Sequence, residues 1–368
     1  MSRSRSIQLR FKEEDWDRVA GAWRAWWAGE LDRPLVMIED AEPPPGITIS
    51  NIHDLGCPVP YFPLKTLADE VLDYYQVRLE AKRFYGDAWP KWNPNFGPGI
   101  VAAFLGAQVH PTADTVWLEP HSQVSIGDLH LDFDGTNVWW QRVLELTRCA
   151  VQRWDGRVSV AYTDLGGNLD ILGALLTPQR LLVELVDHPD DVARRAGELT
   201  QLWLRCYNEL CSIILPAGRG TTPWATLWSP GRCYMLQSDV SAMISPRMFE
   251  RFVLPDLAAC CQATDHAFYH LDGPGAVRHL DMLLSLERLR GIQWIPGAGA
   301  PPPEGWLPLL KRIRDAGKLC QLYVSPEGAQ SIVRELGGQG FAFYITKRMS
   351  APEARSLLHS LTAGVTQE

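Results

Sequence analysis

Apolar and polar positions along this chain follow two repeating patterns, which together predict an α/β protein. Between residues 12 and 29 the apolar residues recur at three- and four-residue spacing, which predicts an amphipathic helix that ends at Gly29. Residues 35–39 then form a short, continuous apolar run of the kind found in buried strands. The same succession of apolar runs and amphipathic segments continues to the end of the chain.

Eight segments have the pattern of strands, and helices are predicted between most of them. The predicted strands cover residues 35–39, 115–120, 158–162, 224–228, 267–270, 291–295, 319–324 and 341–345. The predicted helices cover residues 12–29, 66–85, 98–106, 137–153, 168–176, 178–186, 189–214, 246–264, 275–284, 304–316, 326–336 and 351–362. Continuous apolar strands separated by helices are typical of a parallel sheet covered on both faces. Eight such repeats at this length favour a closed (β/α)8 TIM barrel over an open sheet.

The predicted barrel sets the expected domain organisation. Residues 1–34 are interpreted as an N-terminal helical extension, and residues 35–368 as a single barrel domain with a long loop insertion around 86–112. The chain has 15 tryptophans, and those near the N-terminus are candidates for covering the barrel mouth or for a dimer contact. A homodimer is the expected assembly because it is the commonest soluble oligomer.

Composition and charge narrow the function classes. The residues are 46% hydrophobic and 21% charged, with a net charge of −8 and scattered basic residues, so we expect no nucleic-acid partner. No apolar run is long enough to span a membrane, and the basic N-terminus is not followed by an apolar stretch. A cytoplasmic protein is therefore expected. The eight cysteines show no CxxC pair and are expected to be reduced.

The strongest candidate chemistry lies at the end of the strand predicted over residues 267–270. An apolar run there leads into His270-Leu271-Asp272-Gly273. Alternate residues of a strand point to the same side, so His270 and Asp272 are expected to face one pocket if the strand extends through them. An imidazole and a carboxylate in this position suit a metal ligand pair or an acid/base pair.

Other polar and aromatic residues follow the remaining predicted strands, where barrel enzymes place their chemistry. Asp164 and Asp239 are further candidate catalytic residues. The candidate substrate-binding residues are Glu119, Asn168, Trp228, Gln293, Trp294, Tyr323 and Lys347. Each of these, taken alone, suits a loop cap or a satisfied buried polar group equally well.

Three segments resemble the uroporphyrinogen decarboxylase superfamily, which also contains corrinoid- and thiol-dependent methyltransferases. They are residues 158–168, the run Ile244-Ser245-Pro246-Arg247-Met248-Phe249-Glu250-Arg251-Phe252-Val253-Leu254-Pro255, and His270-Leu271-Asp272-Gly273. The second is similar to the family's ISPxxFxxFxxP helix, and the third to the methyltransferases' His-x-Cys-Gly. The resemblance covers about residues 155–350 and implies a (β/α)8 barrel with its site at the mouth formed by the C-terminal strand ends.

The resemblance also implies a possible cofactor and partner. In the methyltransferase branch the histidine and the cysteine bind zinc, which activates a thiol, and the methyl group is exchanged with a corrinoid protein. Here His270 matches the histidine, Asp272 stands in the cysteine's position, and the last strand leads into Thr346-Lys347 where the family has a further cysteine. A zinc site at His270 and Asp272 is therefore harder than the family's.

Three functions remain open at this point. The first is methyl or one-carbon transfer on a small molecule, with a metal at His270 and Asp272 and a corrinoid protein as partner. The second is a metal-independent decarboxylase or lyase, in which an aspartate stabilises a protonated intermediate and His270 moves a proton. The third is a barrel that binds or cleaves carbohydrate, suggested by the tryptophans and the many carboxylates.

Overall fold

The computed structural model describes residues 5–42, 58–112, 115–122 and 124–362, and these residues form an α/β fold. The strands are β1 (Leu35–Ala41), β2 (Lys82–Gly86), β3 (Lys91–Trp92), β4 (Gln108–Pro111), β5 (Val116–Glu119), β6 (Ser159–Val160), β7 (Cys233–Leu236), β8 (His266–Asp272), β9 (Leu289–Ile295), β10 (Leu319–Val324) and β11 (Phe341–Ile345).

The helices lie mostly between these strands. The α-helices are α1 (Glu13–Ala28), α2 (Ala68–Ala81), α3 (Val101–Phe104), α4 (Val138–Trp154), α5 (Asn168–Leu176), α6 (Pro178–Asp187), α7 (Pro189–Ile214), α8 (Pro246–Phe252), α9 (Leu254–Gln262), α10 (Gly273–Ala276), α11 (Leu280–Ser285), α12 (Leu307–Asp315), α13 (Pro326–Leu336) and α14 (Ala351–Thr362). Short 3-10 helices cover Val59–Tyr61, Leu215–Ala217, Asp239–Met243, Val277–His279 and Pro303–Trp306. None of the helices in the described part of the chain is long and apolar enough to cross a membrane.

Seven strands form one sheet in the order β2-β1-β11-β10-β9-β8-β7. Adjacent strands of this sheet pair in parallel, except that β2 runs antiparallel to β1 at one edge. Outside this sheet, β3 and β6 form a short parallel pair, and β4 and β5 form an antiparallel hairpin. The α/β class and the mostly parallel sheet are confirmed. Strand pairing among the described residues does not by itself close the eight-stranded barrel that the sequence predicts.

One of the eight predicted strands does not form, and another pairs outside the parallel sheet. Residues 115–120 form β5, whose antiparallel partner β4 lies in the segment predicted as a loop, so this strand is not part of the parallel sheet. Residues 224–228 form no strand, and β7 follows them instead. A short apolar run carries no information about its partner, which is why both errors fall on short runs. The predicted helix over residues 66–85 ends at Ala81, and its last part is β2.

The long predicted helix over residues 246–264 is divided into α8 and α9. It begins as expected, with the Ser245 hydroxyl accepting a hydrogen bond from the Met248 amide and Pro246 in the first turn. Val253 separates the two helices. Pro255 has no amide hydrogen to continue the helical ladder, and its ring collides with the preceding turn.

The two faces of the sheet pack against different parts of the molecule. Along β1, Leu35 and Met37 belong to one buried cluster, whereas Val36 and Ile38 belong to the other. This alternation follows from the two-residue period of a strand. The larger cluster includes side chains of the helices that cover one face of the sheet, which we call the outer face. The smaller cluster lies on the opposite face, which we call the inner face, and includes the tryptophans of α1.

Helix α1 packs under the beginnings of the strands. The Trp27 ring stacks on His266, the first residue of β8, at 4.3 Å, and Arg290 near the start of β9 donates to the Trp27 carbonyl. Trp26 and Trp27 also contact Phe268. The N-terminal tryptophans therefore cover the inner face at the end where the parallel strands begin, opposite to the end that carries His270. Of the two roles considered for them, covering the mouth does not agree with this placement.

Candidate functional site

Two neighbouring strands bring the candidate metal ligands together. His270 and Asp272 lie near the end of β8, and Asp239 follows β7, which pairs in parallel with β8. One ligand atom from each of Asp239, His270 and Asp272 lies within 4.8 Å of the other two. Asp239 and Asp272 are exposed and His270 is half-buried, so all three are reachable from solvent. The predicted placement of His270 and Asp272 on one side of the strand agrees with this geometry.

A chain of glutamine side chains orients the His270 ring. Gln321 accepts a hydrogen bond from the amide nitrogen of Gln293, so the Gln293 amide oxygen is turned towards His270. That oxygen lies 2.5 Å from Nδ1 of His270, which therefore carries the hydrogen and donates it. The lone pair of Nε2 is left for a metal ion or a proton. Metal-binding histidines are commonly fixed in this way through their other nitrogen.

Aromatic side chains form the inner wall beside this histidine. The Trp224 ring meets the His270 ring edge to face at 5.3 Å, and its indole nitrogen donates to the Met235 carbonyl at 3.0 Å. Tyr323 lies two residues after Gln321 on β10 and therefore shares its side of the strand. These contacts leave the imidazole little freedom to turn. Gln293 and Tyr323 thus lie beside His270, as the strand-end prediction requires of substrate-binding candidates.

Two further carboxyl groups lie close to Asp239. The Asp164 carboxylate accepts a hydrogen bond from the Gly166 amide at 2.8 Å, and one oxygen of Asp170 accepts from the Val240 amide at 3.0 Å. Burial and the neighbouring charge of Asp239 raise the pKa of Asp164 to about 7. The same two causes raise the pKa of Asp170 well above its usual range.

We expect Asp164→Asn to change the pH dependence of stability. A carboxyl group whose pKa is raised on folding binds more protons in the folded chain than in the unfolded chain, so its contribution is lost as pH rises towards 7. Asparagine carries no proton to lose and keeps an oxygen for the Gly166 amide. Relative to the unaltered protein, the variant should gain on the order of 1 kcal/mol between about pH 5 and about pH 8. Urea unfolding at both pH values measures this, and an equal difference at both would contradict it.

A cavity of about 870 Å³ adjoins the site on the side of Asp239. Its walls come from α5, from the 3-10 helix that begins at Asp239, and from strand β5. Glu119, the predicted substrate-binding residue on β5, lies on this wall. Its carboxylate is 3.7 Å from Nε2 of the exposed His110 on the paired strand. Glu119 therefore faces the cavity and does not contact the His270 ring.

Three of the predicted substrate-binding residues are held elsewhere by other contacts. The buried Asn168 side chain donates to the Phe252 carbonyl at 3.1 Å and so ties α5 to α8. Trp228 donates to the Arg219 carbonyl at 2.7 Å and packs in the cluster around α1. Trp294 lies on the outer face, against Trp306 at 5.0 Å, because its neighbour Gln293 takes the inner face. These three predictions are wrong in placement.

Lys347 and most of the tryptophans also lie away from the His270 site. Lys347 is exposed after β11 and acts electrostatically on Glu353. Of the 15 tryptophans, most are buried in the two core clusters. The tryptophan-lined groove on which the carbohydrate hypothesis depends is therefore not formed by the described residues.

The sequence did not predict a buried cluster of three charged side chains on the inner face. The Glu39 carboxylate accepts hydrogen bonds from the ammonium groups of both Lys82 and Lys91. Burial raises the pKa of Glu39, but the two lysines outweigh it and bring the value to about 2. Burial lowers the pKa of Lys82 to about 8. Lysines on short strands are usually exposed, so the sequence carries no signal for this cluster.

Trp224, Asp170 and Gln321 were missed for different reasons. Trp224 begins a segment that was taken for a strand, and Asp170 lies inside a helix, where a polar residue is usually solvent-facing. Gln321 could have been found: it faces the same side as Tyr323, and β9 and β10 are consecutive parallel strands. Its register partner is Gln293, which is also the register partner of His270.

The donor set of Asp239, His270 and Asp272 suits a divalent cation. Two carboxylates and one imidazole provide oxygen and nitrogen ligands, which Zn²⁺ accepts, and they leave positions open for water or substrate. None of the three is a thiolate, so the site is harder than a cysteine-containing zinc site. The orientation of the His270 ring by Gln293 is the observation that favours metal binding over a merely surface-exposed acidic group.

The fold is similar to that of a methyltransferase from Methanosarcina mazei. The two structures superpose with a TM-score of 0.61, and the similarity covers 93% of this chain and 97% of the other at 10% sequence identity. At that identity the likeness shows a shared fold. No protein-family model matches the sequence, and no curated protein does.

Proposed function

We propose that the protein is an enzyme that transfers a methyl group to or from a small molecule, with a divalent metal ion held by Asp239, His270 and Asp272. The observation that carries this proposal is the approach of the three ligand atoms to within 4.8 Å of one another. Clustered ionisable groups in an accessible cleft at strand ends are commonly sites of chemistry.

Two observations support methyl transfer in particular. The fold is shared with a methyltransferase over nearly the whole chain. The sequence resembles the methyltransferase branch of the uroporphyrinogen decarboxylase superfamily at the strand that carries His270. In addition, β1, β3, β6, β7, β8, β9, β10 and β11 follow one another in chain order, and all pair in parallel with a neighbour. We propose that these eight strands form a distorted (β/α)8 barrel.

The side chains around the proposed ion have separable roles. A bound divalent ion supplies Lewis acidity, which stabilises an anionic nucleophile or leaving group. Gln293 holds the Nδ1 hydrogen of His270, so that the ring presents Nε2. Trp224 packs against the ring and excludes water from that side. Zinc is the ion that the sequence resemblance favours.

We expect the protein, purified without added metal, to contain about one equivalent of a divalent ion, zinc first among them. His270→Ala and Asp272→Ala should each lower the affinity for that ion at least about a hundredfold, because each removes one of three protein ligands. Elemental analysis after dialysis against a weak chelator measures this directly.

The matched control is His359→Ala, which removes an exposed histidine from α14 and should leave the metal content unchanged. Circular dichroism should show that all variants are folded. Equal metal content in the protein and in both ligand variants would contradict the proposed site, as would a protein that takes up no divalent ion at all.

A metal-independent lyase or decarboxylase is the second candidate function. It is favoured by Asp164, because a carboxyl group with a pKa of about 7 can give and take a proton near neutral pH. A protein that is free of metal, yet loses activity in Asp164→Asn, would favour this candidate over methyl transfer.

Several sequence predictions on cofactors and partners remain predictions. A corrinoid carried by a partner protein follows only from the family resemblance, and the homodimer only from the frequency of such assemblies. The absence of a nucleic-acid partner follows from the net charge of −8. The cytoplasmic location and the division at residue 34 likewise remain predictions.

A further inference from the structure

The cavity beside Asp239 is large enough for a small organic molecule. Its volume of about 870 Å³ lies within the range of small-molecule sites, roughly 300–1,000 Å³. Asp239 belongs both to the cavity wall and to the group of three candidate metal ligands. A molecule in the cavity would therefore lie directly beside the proposed reaction centre.

The ionisable groups on the cavity wall are three carboxyl groups and one imidazole. Glu119, Asp170 and Asp239 contribute the carboxyl groups and His121 the imidazole, and none of the described residues that line the cavity is lysine or arginine. One oxygen of Asp170 accepts from the Val240 amide, while its other oxygen is buried and has no hydrogen-bond partner within the described part of the chain. A buried polar oxygen without a partner is costly, and a bound cation would offset that cost.

The remainder of the wall is largely apolar. Val116 and Leu118 of β5, Ala174 of α5, and Val240 and Met243 of the 3-10 helix contribute its apolar side chains. Trp117, also on the wall, is 63% exposed, which is unusual for so large an aromatic side chain. A carboxylate together with an aromatic face and apolar surface is the combination that binds methylated ammonium groups, whose positive charge is spread over methyl groups that give no hydrogen bonds.

We propose that this cavity binds a small molecule bearing a methylated ammonium group, with the cation between Glu119, Asp170 and Asp239 and its methyl groups against Trp117 and the apolar wall. This inference rests on the proposed function and adds to it the class of substrate. Binding itself requires neither the metal ion nor a methyl-transfer step, so the two can be tested separately.

The direct test compares choline with 3,3-dimethylbutan-1-ol, in which carbon replaces the charged nitrogen. Isothermal titration calorimetry on the full-length protein as purified should give a dissociation constant for choline at least about tenfold lower than for the alcohol. Ethanolamine, which has the charge without the methyl groups, should also bind at least about tenfold more weakly than choline. Equal or tighter binding of either comparison molecule would overturn the proposal.

Substitutions locate the binding. Trp117→Ala should weaken choline binding roughly fivefold and Trp117→Phe by less than about twofold, since phenylalanine keeps the aromatic face. Asp170→Asn and Glu119→Gln should each weaken it roughly fivefold. The control is Glu335→Gln, an exposed glutamate on α13, which should change nothing. Choline binding that is unaffected by all three cavity positions would overturn the placement.

The outcomes also separate this inference from the proposed function. If choline does not bind while metal uptake still depends on His270, the inference fails and the metal site stands. If choline binds as described while metal uptake is independent of His270, the cavity assignment stands and the proposed metal site fails.

Discussion

Glu39→Gln should lower the free energy of unfolding by about 3–5 kcal/mol at neutral pH. The substitution keeps the size of the side chain and one hydrogen-bond acceptor, but it removes the carboxylate that, among the described residues, pairs with both lysines. Lys82 is 2% exposed, so its ammonium group would be left buried without a counter-charge. Denaturation in urea, followed by fluorescence and by circular dichroism, measures the loss.

The double variant Glu39→Leu with Lys82→Met is the informative comparison. It removes both fully buried charges, and Lys91, which keeps 16% of its side chain exposed, can turn towards water. We expect the double variant to be more stable than Glu39→Gln, because apolar replacement of a buried pair costs less than breaking it. Equal stability of the two would contradict this account.

The pH dependence of Glu39→Gln gives an independent check. Lys82 is expected to be charged in the unfolded chain up to its ordinary pKa, whereas in the folded protein its pKa is lowered to about 8. The unfolded chain therefore binds more protons above pH 8, and folding gains stability as pH rises. Because loss of Glu39 lowers the folded pKa of Lys82 further, the deficit of the variant should shrink as pH rises to about 8 and stay constant above it, where both proteins gain stability equally.

The helices could be predicted from the sequence because their signals are local. The boundaries of α7 and α13 agree with the periodicity, and α13 has the expected Ser325 cap, whose hydroxyl accepts from the Gly328 amide at 2.9 Å. Strands depend on distant partners. β3 has only two residues and was not predicted, because nothing in so short a segment distinguishes a strand from a loop. β6 is equally short but lies within the apolar run 158–162, which predicted it.

The candidate site was predictable where it follows from strand alternation. His270, Asp272 and Gln293 lie on adjacent parallel strands, so their common face follows from the two-residue period. The same rule places Trp294 on the opposite face, and including it among the candidates ignored that rule. Asp239 was an even choice between a site carboxylate and a turn cap, because the path of a 3-10 helix after a strand is set by tertiary packing.

The cavity and the ion cluster depend on parts of the chain that the sequence interpretation placed wrongly. Glu119 reaches the cavity because β4 and β5 form a hairpin, not because it ends a strand of the parallel sheet. Lys82 reaches Glu39 because β2 turns back along β1. A sequence shows neither event, since both depend on which edge of the sheet a short strand finds.

Trp23→Ala should lower the free energy of unfolding by about 3–5 kcal/mol. Trp23 is fully buried in α1, where its ring meets Trp26 at 5.3 Å and Trp89 at 5.2 Å, and its indole nitrogen donates to the Asp87 carbonyl at 3.2 Å. Truncation would leave a cavity among side chains that are themselves too large to close it. Thermal and urea unfolding measure the loss.

Trp117→Ala is the matched control for Trp23→Ala, because it makes the same chemical change at a side chain that is 63% exposed. We expect it to alter the free energy of unfolding by no more than about 0.5 kcal/mol. The two variants should also differ in function. Trp23 lies at the opposite end of the strands from His270, so the Trp23→Ala variant should keep its metal affinity under conditions where it is folded. The Trp117→Ala variant should lose choline affinity while remaining stable. Similar destabilisation by both would mean that α1 does not form the buried end of the sheet.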